Sequence, residues 1–301
     1  TFRREMLYTQ LRSFHGVASE GGFTAASKVL NVGQPTLTSQ VKALEAYFDV
    51  ELFHRKGRRV VLTQAGRGLF QLTRRIMNLE IEAKDLLYAF GGFNRGTLNV
   101  GAVGPYHVTE MLSQFSELYP GIQLSVSSGN SKDMVSQLMD YSVDVAVLAH
   151  VEDDPRIHAM PYSRHRVNVF VHNSHPFAVH SQIKIQDLEG QRMVLREKGS
   201  TTRLAFEKAL ERSKVSILPV LETGSREAVW LAVTMGIGIG VVSDIEFVSH
   251  PDIVMMKVSD ADIFTTAHVN CLKERKESRL IKAFFKVASD VKASRGVAKK
   301  I

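Results

Sequence analysis

The chain has 301 residues, of which 44% are hydrophobic and 23% charged, which is typical of ordinary globular protein and leaves room for two or three domains. No apolar run reaches the roughly 18 residues that a membrane span requires, and the start lacks a signal-peptide pattern, so the sequence predicts a soluble cytoplasmic protein that contacts no membrane. The single cysteine, Cys271, excludes an internal disulfide. The net charge is +7, and most of it lies near one end, because residues 1–90 carry 13 Lys and Arg against 8 Asp and Glu. Such a basic region favours a nucleic-acid partner, although a solvated surface would carry the same excess.

The first predicted unit is a helix-turn-helix. A helix over residues 7–19 is followed by a second helix that opens at Phe23, with Thr24 as its N-cap. Gly33 is expected to permit the turn that follows, and Pro35 suits the first turn of a third helix because its missing N–H costs little there.

The third helix has the pattern of a DNA-recognition helix. Its apolar residues Leu37, Val41, Leu44 and Phe48 recur at steps of four, three and four, which predicts one inward stripe. Short polar side chains lie on or beside the opposite face: Pro35, Thr36, Thr38, Ser39 and Lys42. A helix N-terminus with small hydroxyl groups can approach base edges and phosphates closely.

Residues 51–62 predict a β-hairpin, or wing, with its turn at Gly57. Four basic residues surround that turn: Arg55, Lys56, Arg58 and Arg59. These side chains suit phosphate contacts or a minor groove. The alternative is a hairpin whose charges are simply solvated.

A long amphipathic helix is predicted from about residue 63 to residue 89. Its apolar positions alternate steps of three and four over four heptads: Ala65, Leu69, Leu72, Ile76, Leu79, Ala83, Leu86 and Phe90. A seam of this width suits pairing with a second helix. Two DNA-binding domains joined in this way are expected to bind a two-fold symmetric operator. The alternative is packing against the helix's own domain. Glycines over residues 91–96 predict a hinge.

The rest of the chain alternates strands with helices, which predicts parallel sheets covered by helices. Strands are expected at residues 97–103, 122–127, 143–148, 167–171, 193–195, 218–221, 239–242, 253–258 and 266–272. Helices are expected at residues 106–118, 131–139, 202–212, 225–235 and 278–291.

Four strand-to-helix junctions in this region share glycine and polar residues: Gly104-Pro105, Gly129-Asn130-Ser131, Gly199-Ser200-Thr201-Thr202-Arg203 and Gly224-Ser225-Arg226. Free N–H groups and hydroxyls at helix N-termini favour anions, and ligands of open α/β sheets lie at such strand ends. Each junction alone is most often an ordinary helix cap. Together they predict a site for a small anion.

Three segments carry a resemblance to the LysR-type transcriptional regulators: AASKVLNVGQPTLTSQVKALEAYFDVELFHRKGRRVVLTQAG, REKGSTTR and GIGIGVV. The resemblance extends over nearly the whole chain. It implies an all-α-rich winged helix-turn-helix and a long dimerisation helix, followed by an α/β effector domain with two lobes, like a type 2 periplasmic binding protein. It also implies a homotetramer that binds double-stranded DNA, answers to a small effector and contacts RNA polymerase.

The domain boundaries expected from this resemblance divide the chain into four parts. Residues 6–62 form the DNA-binding domain, 63–90 the linker helix, 91–96 the hinge and 97–295 the effector domain. Within the effector domain, lobe I takes residues 97–165 and 267–295, and lobe II takes residues 166–266.

The resemblance also assigns site residues. Base-reading positions fall on Gln34, Pro35, Thr36, Thr38 and Ser39, and Ser39 stands where many members have arginine, so an altered base preference is expected. Effector-binding positions are expected among Ala102, Tyr106, His107, Asn130, Ser131, Ser200, Thr201, Thr202, Arg203, Ser225 and Arg226.

The phrases GAVGPYHV, SSGNSKD, REKGSTTR and ETGSREAV resemble the subgroup associated with 2-aminoethylphosphonate catabolism. The hydroxyl, amide and guanidinium groups at these positions are suitable donors to a phosphonate or a similar oxyanion. A different carboxylate or oxyanion remains the alternative effector.

Two other classes of protein fit the sequence less well. No metalloprotease, nucleophile-elbow or Walker motif supports an enzyme acting on a small anion, so no catalytic residue is assigned, and no cofactor is expected. His165, His172, His175 and His180 lack the spacing of a usual metal site, so no metal is expected. An exported binding protein would share the α/β part but would not carry the basic N-terminal DNA-binding domain.

Overall fold

The computed structural model describes residues 2–56, 59–90, 95–149 and 154–298. The chain separates into two compact units, residues 1–93 and 94–301. None of the described helices is long and apolar enough to cross a membrane.

The first unit is helical with one β-hairpin. Its elements are α1 (Phe2–Ser19), α2 (Phe23–Leu30), α3 (Gln34–Phe48), β1 (Phe53–Lys56), β2 (Arg59–Leu62) and α4 (Gln64–Phe90). The strands β1 and β2 pair antiparallel, as expected for a wing. Phe14, Leu37, Val41, Leu44 and Phe70 are buried in one core, so α1, α3 and the start of α4 pack together.

Three local expectations for this unit are wrong. Phe48 does not join the inward stripe of α3, because its side chain is 55% exposed at the end of the helix. Gly22 rather than Thr24 is the N-cap of α2, and it supplies no side-chain hydrogen bond. The turn between α2 and α3 depends on Asn31 rather than Gly33: Asn31 has a left-handed φ of 52°, which asparagine tolerates, whereas Gly33 has a φ of −56°.

The second unit contains the remaining strands and helices. Its strands are β3 (Gly96–Ala102), β4 (Ile122–Ser128), β5 (Val145–Leu148), β6 (Ile157–His172), β7 (Gln182–Ile183), β8 (Arg192–Arg196), β9 (Leu218–Thr223), β10 (Ile239–Ser243), β11 (Ile253–Val258) and β12 (Phe264–Leu272). Its α-helices are α5 (Thr109–Leu118), α6 (Ser131–Met139), α7 (Thr201–Ser213), α8 (Arg226–Thr234) and α9 (Arg279–Ala298). Short 3-10 helices lie at Pro105–His107, Pro176–Val179, Ile185–Leu188, Asp244–Glu246 and Lys273–Arg275. The predicted helix over residues 106–118 is thus split into a 3-10 helix and α5.

The strands form two lobes joined at β6. The strand order is β4-β3-β5-β12-β6-β10-β8-β9, and β11 also pairs with β6. We call the side with β3, β4, β5 and β12 lobe I, and the side with β7 to β11 lobe II. Separate apolar cores lie under each: Met111, Phe115 and Phe284 belong to the first, and Leu188 and Phe206 to the second.

Two antiparallel strands connect the lobes, and the sequence did not predict this pairing. The first half of β6 pairs with β12 along its whole length, from Ile157 opposite Leu272 to Arg166 opposite Phe264. The second half of β6 pairs with β10 and β11 in lobe II. The prediction of parallel strands is confirmed for β3 with β4 and β5, and for β8 with β9 and β10. It is wrong at the centre, where β6 and β12 cross between the lobes.

Candidate functional site

The outer face of α3 presents a continuous polar surface. Gln34, Pro35, Thr36, Ser39 and Lys42 are exposed, and Thr38 is half-buried. The first turn of the helix contains no acidic residue, so its N-terminus stays attractive to phosphate.

Two hydrogen bonds position Gln34 at the start of this face. Thr24 Oγ1 on α2 donates to Gln34 Oε1 at 3.2 Å, and Thr38 Oγ1 donates to the Gln34 carbonyl at 2.9 Å. The side chain is therefore held from α2 while its amide nitrogen stays available to a base edge.

The basic wing residues are only partly described. Arg55 and Lys56 belong to β1 and Arg59 to β2, but their side chains lie outside the description. Arg58 and Gly57 lie outside the described residues altogether. Their roles in DNA contact stay predictions.

A second candidate site is the cleft between lobe I and lobe II. The space inside it that water can reach is about 20 Å³, on the order of one water molecule. Fourteen residues line it: Val103, His107, Asn130, Ser131, Ala149, Arg196, Gly199, Ser200, Thr201, Thr202, Arg226, Ser243, Glu246 and Thr265.

Three residues of this lining each carry a buried polar side-chain atom that has no hydrogen-bond partner among the described residues. The atoms are His107 Nδ1, Ser131 Oγ and Ser243 Oγ. All three residues are more than nine-tenths buried. An unpaired buried polar group costs on the order of 1–3 kcal/mol, so a bound molecule that reached these atoms with acceptor oxygens would lower that cost.

Helix N-termini from both lobes meet the cleft. Asn130 caps α6 by accepting from the Asp133 N–H at 3.0 Å, and Ser131 follows in the first turn and lines the cleft. On the lobe II side, Ser200 caps α7 and Thr201 and Thr202 follow in its first turn. Free N–H groups at two helix ends favour a negative charge between them.

A charged cluster joins the lobes beside these helix ends. Arg226 Nη2 donates to Glu246 Oε1 at 2.7 Å and to the Val103 carbonyl at 3.3 Å. His107 Nε2 lies 3.4 Å from the same Glu246 oxygen. Gly104 allows this close approach, since a Cβ there would lie 3.0 Å from the Arg226 guanidinium and 3.3 Å from the Glu246 carboxylate.

Glu246 is ionised within this cluster. Burial disfavours its charge, but the hydrogen bond with His107 and the positive charge of Arg226 outweigh burial and hold the pKa of this carboxyl below its usual value. The other cleft arginine, Arg196, makes a two-point ion pair with Glu197 at 2.8 and 3.0 Å. Each guanidinium in the lining therefore already faces a carboxylate.

The structure brings together seven of the residues that the sequence assigned to effector binding: His107, Asn130, Ser131, Ser200, Thr201, Thr202 and Arg226. The other four lie elsewhere. Ala102 is enclosed in the lobe I core and Tyr106 is 41% exposed away from the lining. Ser225 caps α8 and donates to Glu227 at 2.7 Å.

Arg203 is the clearest correction among these four. Its Nε donates to Glu207 at 2.7 Å and its Nη1 to Glu222 at 2.8 Å. The guanidinium is thus held on the lobe II side of α7 and does not line the cleft.

Sequence reasoning missed Arg196, Ser243, Glu246 and Thr265. Ser243 ends β10 directly after the GIGIGVV segment, and Glu246 follows in a 3-10 helix. Arg196 and Thr265 lie on strands β8 and β12. The only available signal was the position of Arg196 and Ser243 at strand ends, where open α/β sheets bind ligands.

The described residues contain no cluster of three or more His, Cys, Asp or Glu side chains that could hold a metal ion. His165 Nδ1 instead lies 3.1 Å from Asp244 Oδ1, and its Nε2 lies 2.7 Å from Ser163 Oγ. Its ring also lies 5.3 Å from that of His107. These contacts give the central histidines a structural role next to the cleft.

Comparison with known proteins decides the family. Residues 8–67 match the bacterial regulatory helix-turn-helix protein model of the lysR family, and residues 91–293 match the LysR substrate binding domain. The chain belongs to the LysR family. Like the LysR proteins it matches, it is a DNA-binding transcriptional regulator with an effector-binding domain.

Curated LysR relatives are similar over most of the chain. The RuBisCO operon transcriptional regulator of Allochromatium vinosum is 31% identical, over 78% of each chain. The transcriptional activator CmpR of Synechocystis is 28% identical, also over 78% of each chain.

Solved LysR structures share the fold. Full-length CbnR in complex with its target DNA has a TM-score of 0.70 at 23% identity, covering 94% of this chain and 99% of that one. The regulatory domain of Synechocystis PCC6803 CcmR, in complex with 2-PG, has a TM-score of 0.61 at 25% identity and covers 66% of this chain and 98% of that domain. The expected architecture, a winged helix-turn-helix followed by a two-lobed α/β domain, is confirmed.

Proposed function

We propose that this LysR regulator responds to a small oxyanion bound between its two lobes, and that phosphonates, including 2-aminoethylphosphonate, are candidate effectors. The observation that carries the proposal is that three residues lining one cleft, His107, Ser131 and Ser243, each carry a buried polar side-chain atom without a hydrogen-bond partner among the described residues. A tetrahedral or planar oxyanion offers several acceptor oxygens to such donors. The binding of 2-PG by the regulatory domain of CcmR is consistent with an anionic effector here.

The effector is proposed to act by stabilising one closure state of the lobes. Ser131 and His107 come from lobe I, whereas Ser200, Arg226 and Ser243 come from lobe II. A ligand that contacts both groups binds better when the lobes are close, so it shifts the population toward that state. Closure is then transmitted through residues 91–96 to the DNA-binding domain.

The regulator is proposed to work as a dimer or tetramer on a two-fold symmetric operator, in the cytoplasm and in contact with RNA polymerase. The face of α4 that packs on its own unit uses Phe70 and Thr73, which are buried. Of the predicted seam residues, Leu69 packs against this core, whereas Leu72, Leu79 and Leu86 lie on the other side and are each more than half exposed. This arrangement leaves the seam available to the α4 of a second copy.

A thermal-shift screen of the full chain tests the anion site. We expect one or more phosphonates, phosphates or small carboxylates to raise the melting temperature, since a ligand that binds only the folded state stabilises it. Carboxylates alone would identify the alternative oxyanion class. Turnover of any tested anion by the purified protein would favour an enzyme instead.

Two matched serine variants locate the effect. Ser131→Ala should weaken binding of the effective anion by about tenfold, the loss expected for one hydrogen bond to a charged group. Ser225→Ala removes a hydroxyl that caps α8 outside the lining and should leave the affinity unchanged. Equal affinity in both variants, or no shift with any anion, would overturn the site.

A further inference from the structure

A groove runs between α7 and β12 on the second unit. The space in it that water can reach is about 330 Å³, against about 20 Å³ in the cleft. That volume is within the range of small-molecule sites. One side of the groove is formed by a stripe of α7: Thr201, Leu204, Ala205, Lys208, Ala209 and Arg212.

The α7 side changes from apolar to basic along the helix. These positions recur at steps of three and one, so they share one face. From Thr201 to Arg212 the helix axis rises by about 16 Å at 1.5 Å per residue. Leu204 is 39% exposed in the first half of this face, and Lys208 and Arg212 are exposed in the second half. A molecule lying along this face would therefore meet an apolar surface at one end and two positive charges at the other.

The opposite side of the groove is formed by β12. Phe264, Thr266 and His268 line it, and since they alternate along the strand their side chains share one face of the sheet. The guanidiniums of Arg164 and Arg166 lie 3.8 and 4.5 Å from the centroid of the Phe264 ring. Cation–ring contacts of this kind hold the ring as a fixed apolar wall.

The positive charges of Lys208 and Arg212 are not offset within the described part of the chain. Neither side chain has an ion pair or a hydrogen bond with another described residue. Their spacing of four residues places two like charges side by side on the helix, which is mildly unfavourable. Asp262 is the only carboxylate among the described residues that line the groove, and it lies 3.5 Å from the Arg166 guanidinium. The groove thus offers two unpaired cations next to an apolar wall.

We infer that this groove is a second ligand site, which takes a small carboxylate with an alkyl body and is separate from the anion site in the cleft. The carboxylate lies at Lys208 and Arg212, and the alkyl chain lies along Leu204 against Phe264. The occupant contacts α7 of lobe II and β12 of lobe I, so it binds one arrangement of the lobes better than others. Ala149, Thr201 and Thr265 line both the groove and the cleft, and through them the two sites are coupled.

The competing occupant is the phosphate backbone of a nucleic acid. Lys208 and Arg212 would serve it equally well, but a phosphate backbone has no use for the apolar wall beside them. The two occupants differ in one measurable quantity, which is the gain in affinity as the alkyl chain of a carboxylate is lengthened.

Calorimetric titration of the full chain with butyrate, hexanoate, octanoate and octanol measures that gain. We expect affinity to rise about fourfold for each added methylene, the value for burying one CH₂ group. Octanoate should bind about tenfold more tightly than octanol, which has the same chain without the charge.

Three variants assign the site. The double variant Lys208→Gln with Arg212→Gln should bind octanoate about tenfold more weakly and octanol as before. It removes a like-charge pair, so its melting temperature should not fall. Lys257→Gln is the matched control, since it changes an exposed lysine of lobe II outside the groove. Lys257→Gln and the cleft variant Ser131→Ala should both keep the wild-type affinity for octanoate.

The outcomes separate this site from the cleft and from nucleic acid. Absence of octanoate binding, or equal affinity for octanoate and butyrate or for octanoate and octanol, would overturn the inference. A loss in Ser131→Ala equal to that in the double variant would place the ligand in the cleft and overturn the second site. Weaker DNA binding by the double variant with unchanged octanoate binding would assign the two cations to nucleic acid. Failure of small oxyanions to bind the cleft would leave this inference standing, because the groove uses other side chains for the charge.

Discussion

The Nδ1 atom of His15 lies 3.1 Å from Oγ1 of Thr73, so a histidine of α1 joins the first helix to the linker helix α4. The histidine ring also lies 5.3 Å from the ring of Phe70, which in turn carries the Arg74 guanidinium at 4.3 Å. Burial, with a smaller contribution from the charge of Arg74, lowers the pKa of His15 to about 4. The imidazole is therefore neutral in the folded state at neutral pH.

This contact predicts an acid-sensitive DNA-binding unit. Between the unfolded pKa of about 6.5 and the folded value of about 4, the unfolded chain binds more protons, so stability falls as the pH falls through this range. After allowance for partial exposure the loss is on the order of 1–2 kcal/mol. Between pH 7 and pH 4.5 the melting temperature of the full chain should decrease less for His15→Gln than for wild type. His54→Gln, which changes an exposed histidine, is the control. A decrease for His15→Gln as large as that of wild type would contradict this role.

Gln34 and the wing are predicted to contribute differently to DNA binding. Gln34→Ala should cost about 1–3 kcal/mol on the specific operator and little on random DNA, because an amide hydrogen bond to a base edge reads sequence. Arg58→Ala should weaken binding to both and lower the salt slope by about one, because it neutralises a phosphate. Fluorescence anisotropy at several salt concentrations measures both quantities. Lys276→Ala, an exposed lysine of the other unit, is the control. If Gln34→Ala lost the same affinity for the operator and for random DNA, Gln34 would contact the DNA backbone rather than a base.

The exposed seam of α4 predicts a dimer that a single charge disrupts. Leu79 is 63% exposed on this seam, and Leu79→Asp would place a carboxylate in an otherwise apolar helix interface at a cost of about 2–4 kcal/mol. Sedimentation velocity should then show dissociation at concentrations where the wild type is associated. Gln71→Asp introduces the same charge on another exposed face of α4 and should not change the assembly. Dissociation by both variants, or by neither, would place the interface elsewhere.

Cys271 is predicted to be chemically silent in the folded protein. It is fully buried on β12, and burial raises the pKa of its thiol to about 12, so almost no thiolate is present at neutral pH. A thiol reagent such as dithionitrobenzoate should label the native chain at a negligible rate and the guanidinium-unfolded chain at once. Rapid labelling of the native protein, or a loss of operator binding after mild peroxide treatment, would show that this thiol is accessible.

Local periodicity was enough to predict single elements in both units. Leu37, Val41 and Leu44 recur at helical spacing and are buried, and α6 and β11 occupy the expected residues. The first half of β6 was missed because it contains Pro161 and buries only Ile157 and Tyr162 among polar neighbours. Its pairing with β12 depends on residues about a hundred positions away, which no local pattern reveals.

The part of the candidate cleft that consists of helix N-termini could be predicted from the sequence. Ser131, Thr201 and Arg226 each follow a glycine-bearing junction, and that chemistry can be recognised in sequence. Arg203 has the same sequence signal, yet Glu207 and Glu222 hold its guanidinium away, so a motif alone cannot say which side chain faces the ligand. Glu246 lies in a 3-10 helix without a motif and reaches the cleft only through the three-dimensional arrangement of the lobes.

The register of the two crossing strands has a consequence for how such regulators diversify. Arg166, where the chain enters lobe II, is paired directly with Phe264, where it leaves, and the Arg166 guanidinium stacks on the Phe264 ring at 4.5 Å. Lobe II is therefore an insertion whose two ends are already neighbours. A segment whose ends already pair can vary without moving the strands that hold it, so the lobe II side of the cleft, with Glu246 and Arg226, can change its chemistry while the lobe I sheet stays the same.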